Sequence, residues 1–124
     1  MLSALNANRI YTPGGYDASR ATSAVLEVYD SATDRWTAGP TMPEGRNHPC
    51  VVAGGGRLFV IGGYSASNAA TASTFAYDPS TQLWSTRRVM PVARAAHACV
   101  ELNGRVQLFH DPNFILDEVP WRPQ

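Results

Sequence analysis

Hydrophobic residues in this chain occur in short runs separated by turn-forming residues. Residues 57–61 read Arg-Leu-Phe-Val-Ile, a nearly continuous apolar run that ends at two glycines. Such a run favours a short strand covered on both faces. Residues 9–12 and 105–109 occupy the position that corresponds to 57–61 in their own parts of the chain. β-favouring segments at 24–29 and 74–77 run directly into Asp-x-x-Thr turns. No segment carries a helical apolar stripe of useful length, so the pattern predicts a nearly all-β chain.

This pattern returns after 48 positions. A glycine pair, a Tyr-Asp pair, a tryptophan, a Met-Pro pair and two arginines all recur at that spacing. Among them are Gly14, Gly15, Tyr29, Trp36, Arg46 and Arg57, which return as Gly62, Gly63, Tyr77, Trp84, Arg94 and Arg105. A fixed period of roughly 20 to 50 residues indicates stacked units, because one such unit cannot bury its own apolar faces. Four short strands per period predict a propeller blade.

The recurring residues resemble a known repeat. Arg-x-x-His, a strand ending in Gly-Gly, Tyr-Asp-x-x-Thr-x-x-Trp and Met-Pro are together similar to the kelch repeat of β-propellers. The resemblance implies a partial kelch-type β-propeller of four-stranded antiparallel blades, with about nine to ten short strands. Two departures are present, since His110-Asp111 replaces the glycine pair in the last copy and Arg46-Asn47-His48 shortens Arg-x-x-His.

The repeat divides the chain into four predicted parts. These are an incomplete blade in residues 1–45, a complete blade in 46–93, the inner strands of a third blade in 94–110 and a non-repeat tail in 111–124. Within the complete blade, strands are expected near 48–53, 57–61, 72–77 and 82–86.

An array of this length does not close a ring. Closed propellers have roughly 4 to 8 blades, so the terminal blades are expected to leave apolar faces and strand edges uncovered. Such faces favour self-association. A fragment, a truncated product and a ring closed by oligomerisation are all open explanations. Fragment or truncation is favoured, because repeat arrays normally end in specialised caps and neither end resembles one.

Several recurring residues have predicted structural roles. Gly14, Gly15, Gly62 and Gly63 allow a sharp turn through positive φ and a close approach of the neighbouring sheet. Tyr29, Tyr77, Trp36 and Trp84 supply large apolar area between blades and keep one polar group at the rim.

Six residues are candidates for binding. Tyr16, Arg20, Tyr64 and Asn68 lie in small polar stretches that differ between the copies and resemble the display loops of kelch proteins. The resemblance also implies that Arg46 and Arg94 hold acidic partner segments, for which the planar guanidinium is suited. The competing interpretation is that these two arginines bond loop carbonyls within their own blades. The predicted partner is a protein or peptide.

Composition restricts the partners and the compartment. Ten basic and ten acidic residues balance, so nothing predicts a nucleic acid or an anionic membrane as partner. No basic region followed by an apolar stretch begins the chain, which favours the cytoplasm. Two cysteines are too few for a disulfide framework, and a reducing compartment is compatible with them.

The His-Cys segments are the strongest candidates for metal chemistry. His48 with Cys50, and His97 with Cys99, offer nitrogen and sulfur ligands of the kind that bind zinc or copper. The preferred interpretation is that His is a repeat position and Cys a small buried hydrophobe, so neither a metal nor another cofactor is predicted.

The sequence thus predicts a non-catalytic binding module that uses its blade loops. No Gly-x-Ser-x-Gly, phosphate loop or metalloprotease helix is present, so no catalytic residue is assigned. Two alternatives stay open. One is a fragment of a kelch-propeller enzyme, either carbohydrate-active or similar to copper radical oxidases, and the other is a truncated remnant without independent function.

Overall fold

Strands account for all the regular secondary structure that is seen. A computed structural model describes residues 3–6, 8–102, 105–108 and 111–116, and in these residues it contains eleven strands and no helix. The strands are β1 (Ser3–Asn6), β2 (Arg9–Pro13), β3 (Leu26–Asp30), β4 (Arg35–Ala38), β5 (Cys50–Gly54), β6 (Arg57–Ile61), β7 (Thr74–Asp78), β8 (Leu83–Thr86), β9 (Cys99–Leu102), β10 (Arg105–Leu108) and β11 (Asp111–Leu116). The predicted all-β fold is confirmed.

Three antiparallel sheets hold these strands. The first has the order β1-β2-β3-β4, the second β5-β6-β7-β8 and the third β11-β10-β9. β5 lies against both β1 and β9, so the first strands of successive sheets run side by side at one edge of the stack. This is the radial arrangement of propeller blades.

Tight Asp turns connect the third and fourth strands of the first two sheets. Asp30 Oδ1 accepts a hydrogen bond from the Ala32 backbone N–H at 2.9 Å, and Asp78 Oδ1 accepts one from Ser80 at the same distance. Each turn closes through a residue with positive φ, Asp34 at 55° or Gln82 at 58°. A carboxylate that bonds its own turn replaces backbone partners that the strand ends lack.

The second sheet is buried on both faces because its neighbours cover alternate side chains. Leu58, Val60, Phe75 and Tyr77 pack with Tyr11, Leu26 and Met42 of the first sheet. The intervening residues Phe59, Ile61 and Ala76 pack with Val106 and Leu108 of the third sheet. Successive side chains of a strand point to opposite faces, so one continuous apolar run serves two cores.

Two parts of the array contain more strands than the sequence predicts. Residues 1–45 are expected to form an incomplete blade, but β1 pairs with β2 and gives the first sheet four strands. Residues 111–124 are expected to be a non-repeat tail, but β11 pairs with β10. Strand pairing uses backbone groups, so a segment that lacks the repeat's side chains can still extend a sheet edge. Trp121, in the tail, lies outside the described residues.

The cysteines also depart from the expectation. Cys50 and Cys99 form a disulfide, with their Cα atoms 6.0 Å apart. The sequence predicts small buried hydrophobes at these positions and is compatible with a reducing compartment, so the disulfide corrects that expectation. The disulfide links β5 to β9 and thereby joins the second and third sheets.

Candidate functional site

Two loops of equivalent position stand together at one edge of the first two sheets. Loop 1 consists of residues 14–25, between β2 and β3, and loop 2 consists of residues 62–73, between β6 and β7. Each loop opens with a glycine pair in which both residues have positive φ, at 71° and 92° in loop 1 and at 66° and 99° in loop 2. The chain therefore leaves the strand through conformations that L side chains rarely adopt.

The glycine pairs also seat each loop on the segment that precedes the next sheet. Gly15 N–H donates to the Arg46 carbonyl at 2.8 Å, and Gly63 N–H donates to the Arg94 carbonyl at the same distance. A Cβ on Gly62 would lie 2.5 Å from the Arg94 carbonyl oxygen. Arg46 and Arg94 thus have equivalent backbone contacts in the two copies.

The Arg46 side chain is buried and bonded within the protein. Its guanidinium donates to the Gly45 carbonyl at 2.7 Å, to Glu44 Oε1 at 3.0 Å and to Ser73 Oγ at 3.2 Å, and it lies 5.2 Å from the centre of the Phe75 ring. Only 4 % of the residue is exposed. Arg46 therefore links the end of loop 2 to the preceding segment, in agreement with the structural interpretation of the recurring arginines.

Loops 1 and 2 share one turn geometry but carry different side chains at its tip. In loop 1, Asp17 Oδ1 accepts hydrogen bonds from Ser19 N–H, Ser19 Oγ and Ala21 N–H at 2.7–2.9 Å. The Ser19 hydroxyl and the Ala21 amide accordingly hold the pKa of Asp17 below its usual value. Ser65 replaces this carboxylate in loop 2 and accepts from Ser67 and Ala69.

Arg20 and Asn68 occupy the same point on the two turns. Both have a left-handed backbone, with φ of 66° and 62°. Both side chains are exposed. Among the described residues, no carboxylate lies within ion-pair distance of the Arg20 guanidinium. One scaffold position therefore presents a cation in loop 1 and a carboxamide in loop 2.

A groove of ≈ 600 Å³ separates the two loops. It brings together three of the predicted binding residues, Tyr16, Arg20 and Asn68, and its remaining lining residues are Ala21, Thr22 and Ala66. Tyr16 is 51 % exposed. We call this feature the loop groove. Arg94 and Tyr64 do not line it.

His48 is the aromatic residue of this surface that sequence reasoning did not select as a binding residue. Its ring lies between those of Tyr16 and Tyr64, with centroids 5.8 Å and 6.0 Å away and nearly perpendicular planes. The shortened Arg46-Asn47-His48 motif is the feature of the sequence that could have identified His48. His48 has a φ of 52°, and the matching value of 54° belongs to Ala96 rather than His97. His48 and His97 are thus not structural equivalents.

Buried Asn47 connects His48 to the loop groove. Asn47 Nδ2 donates to Thr22 Oγ1 at 2.7 Å, and His48 Nδ1 lies 2.9 Å from Asn47 Oδ1. Because the amide oxygen can only accept, His48 Nδ1 carries a proton in this contact. Thr22 accepts from Asn47, so its own hydroxyl proton remains to be donated at the groove that it lines.

A second cavity, of ≈ 460 Å³, lies at the opposite ends of the strands and has Arg9, Tyr11, Arg35 and Tyr77 among its lining residues. Arg9 is 3.8 Å from Asp30 there. None of the six predicted binding residues lines this cavity. The loop groove is therefore the stronger candidate site.

The two His-Cys segments are not brought together as a set of metal ligands in the part of the chain that the structure describes. No group of three or more His, Cys, Asp or Glu residues there is placed to hold a metal ion. The two cysteine sulfurs are bonded to each other, so neither is a thiolate ligand.

No helix among the described residues has the length and hydropathy to cross a membrane.

Comparison with known proteins agrees with the repeat. A family model described as the Kelch motif matches residues 3–43 and matches again over residues 45–88. These segments contain the first and second sheets. No curated protein matches the chain.

Proposed function

Because the chain belongs to the kelch-repeat family, we propose that it is a non-catalytic binding module that holds a protein or peptide segment in the loop groove. Kelch repeats commonly serve protein interaction. The observation that carries the proposal is that the exposed Tyr16 ring and the Arg20 guanidinium, which has no carboxylate partner among the described residues, both line the loop groove.

The polar groups of the loop groove are mainly donors. Arg20 offers guanidinium N–H groups, Thr22 offers its hydroxyl proton and Asn68 offers a side-chain amide. A segment rich in carbonyl and carboxylate oxygens complements such a surface. A carboxylate on Arg20 forms a charge-assisted hydrogen bond, which is stronger than a neutral one.

The apolar part of the groove suits a chain rather than a compact charged ion. Ala21 and Ala66 add no side-chain bulk beyond a methyl group, and the exposed Tyr16 ring provides a flat surface for stacking. Volumes of about 300 to 1,000 Å³ are usual for sites that enclose a small ligand or a few side chains. An acidic peptide with a neighbouring apolar residue is therefore the expected partner.

A random-peptide phage library selected on the 124-residue chain tests the proposal. Selected peptides are expected to be enriched in Asp and Glu, and Arg20→Ala is expected to weaken their binding about tenfold, since losing one charged hydrogen bond costs about 1.5 kcal/mol or more. Tyr16→Ala is expected to weaken it as well. Fluorescence anisotropy of a labelled peptide measures both effects.

Arg35→Ala is the matched control, because Arg35 is an exposed arginine at the other cavity. It removes the same charge and is expected to leave affinity unchanged. If no peptide is selected, or if the selected peptides bind the Arg20→Ala and Tyr16→Ala variants as tightly as the native chain, the proposal is wrong.

A further inference from the structure

The two cysteines occupy different positions of their blades. Cys50 pairs with Ile61 across β5 and β6, whereas Cys99 pairs with Leu108 across β9 and β10. A shift of 48 residues converts the pair Cys99–Leu108 into Val51–Val60, which is also a registered pair of the second sheet. Cys99 therefore stands at the position of Val51, one residue beyond the position of Cys50.

This one-residue offset turns the sulfurs toward each other. Val51 packs in the core between the first and second sheets, and Val52 packs in the core between the second and third. Cys50 shares the face of Val52, so it points to the third sheet. Cys99 is equivalent to Val51 and points back to the second sheet. If the two cysteines were 48 residues apart, they would occupy equivalent positions, and each side chain would point toward the sheet that follows its own. The sulfurs would then not face each other, and no bond would form.

The bond lies at the edge of an apolar interface. Cys50 is 1 % exposed, and half-buried Cys99 packs against the core that contains Phe59, Ile61 and Val106. Outside the strands, backbone hydrogen bonds such as Ala96 N–H to the His48 carbonyl, at 2.8 Å, join the same two sheets. In the described part of the chain the third sheet has three strands, whereas the first and second have four. Its docking thus rests on apolar packing, backbone hydrogen bonds and one covalent link.

We propose that the Cys50–Cys99 disulfide is a redox-controlled cross-link that determines whether the third sheet stays docked on the second. This inference does not depend on the proposed binding function. While the bond is intact, the inner strands β5 and β9 cannot separate. When it is reduced, apolar packing and backbone hydrogen bonds oppose the opening of the third sheet without a covalent link.

Reduction requires a dithiol, whose chemistry is thiol–disulfide exchange. A thiolate of the dithiol attacks Sγ of Cys99, which belongs to the less buried of the two residues, and Cys50 leaves as a thiolate and takes up a proton. The second thiol of the reductant then attacks the mixed disulfide, forms its own internal disulfide and releases Cys99. Two electrons and two protons pass to the protein, and the dithiol becomes oxidised.

Hydrogen exchange of the native chain before and after treatment with dithiothreitol tests this proposal. Thiol titration in denaturant is expected to find no free thiol in the oxidised chain and two in the reduced chain. Exchange of the amides in 99–108 is expected to accelerate about tenfold or more on reduction, while residues 26–38 of the first sheet keep their rates. Unchanged exchange in 99–108 would overturn the proposal.

The double variant Ala98→Cys with Cys99→Val is the matched control for the register argument. It keeps two cysteines but restores the repeat spacing, so it is expected to retain two free thiols after oxidation and to show no response to dithiothreitol. Ready formation of the internal disulfide in this variant would refute the register argument. Should the double variant not fold, Cys50→Ala with Cys99→Ala replaces it. The amides in 99–108 of that variant are expected to exchange as fast as those of the reduced native protein, and slow exchange there would contradict the proposal.

Discussion

Replacing Trp84 by alanine tests whether the 48-residue spacing of the repeat builds the contact between sheets. Trp84 lies on β8 and its ring centroid is 5.0 Å from that of Tyr77. Its indole Nε1 donates to the Pro40 carbonyl of the preceding sheet at 2.9 Å, and its ring packs against the core between the first two sheets. Trp36 is the same residue one period earlier, 5.1 Å from Tyr29, but it is 55 % exposed.

Comparing Trp84→Ala with Trp36→Ala separates two contributions to the free energy of unfolding, that of the contact with the neighbouring sheet and that of the Tyr–Trp contact within the hairpin. Truncating a buried tryptophan to alanine costs about 3 to 5 kcal/mol, and Trp84 belongs at the lower end because it is only partly buried. A cost of about 3 kcal/mol is therefore expected, of which the hydrogen bond to Pro40 supplies about 1 kcal/mol. Trp36→Ala loses mainly its pairing with Tyr29, for about 1 kcal/mol.

Urea unfolding followed by far-ultraviolet circular dichroism measures both variants without relying on tryptophan fluorescence. The expected gap between their free energies of unfolding is about 2 kcal/mol. Trp84→Phe keeps an aromatic ring but loses the hydrogen bond and part of the indole's apolar area, so it is expected to fall between the native chain and Trp84→Ala. Equal losses for Trp84→Ala and Trp36→Ala, or an unchanged unfolding midpoint for Trp84→Ala, would falsify the reasoning.

Three further predictions concern the turns and the titrating groups. Gly62→Ala and Gly15→Ala both place a Cβ at positive φ, but only the first meets the Arg94 carbonyl, so Gly62→Ala is expected to lower the free energy of unfolding by at least about 1 kcal/mol more, measured in urea. Burial, followed by the Arg94 charge, lowers the pKa of His97 below 6.5, so the unfolded chain binds more protons. Thermal stability is then expected to fall as the pH drops from 7 to 5, and a pH response undiminished in His97→Gln would contradict this. Hydrogen bonds from Ser80 lower the pKa of Asp78 below 3.8, so the stability from this carboxylate is present above that pH and lost below it. Thermal melts of Asp78→Asn at pH 2.5 to 5 are expected to show a weaker pH dependence than those of the native chain.

Local patterns predicted much of the second sheet. The expected strand at 57–61 is β6, and the strand expected near 82–86 begins one residue later, as β8. These boundaries follow from the apolar run, the glycine pair and the Asp turn, all of which act within a few residues. The kelch resemblance is confirmed by the family match over the first two sheets.

Features that leave no side-chain signature or that depend on strand register were not predicted. β1 joins the first sheet and β11 joins the third through short hairpins held by backbone bonds, in segments that lack the side chains of the repeat. The disulfide depends on strand register, in which one residue decides the face that a side chain occupies. The 49-residue spacing of the cysteines was visible, but its meaning required the pairing of β9 with β10.

The candidate site shows the same division. Divergence between the repeated loops selected Tyr16, Arg20 and Asn68 as candidates, all three line the loop groove, and their role in binding stays a prediction. Arg46 is also a predicted binding residue, but its side chain is buried and bonds Glu44, Gly45 and Ser73, as the structural interpretation of the recurring arginines expects. The contact of His48 with two tyrosine rings depends on how the segment before β5 crosses both loops, which is a tertiary property.

The short connection between β10 and β11 affects how a long partner can lie on this protein. β10 ends at Leu108 and β11 begins at Asp111, so the third sheet has no counterpart of loops 1 and 2 at that connection. Among the residues that the structure describes, no loop of that length stands on the side of loop 2 that faces the third sheet. The loop groove, which lies between two long loops, therefore has no described counterpart between loop 2 and the third sheet. If the proposed peptide binds in the loop groove, we expect its contacts with long loops to be confined to loops 1 and 2.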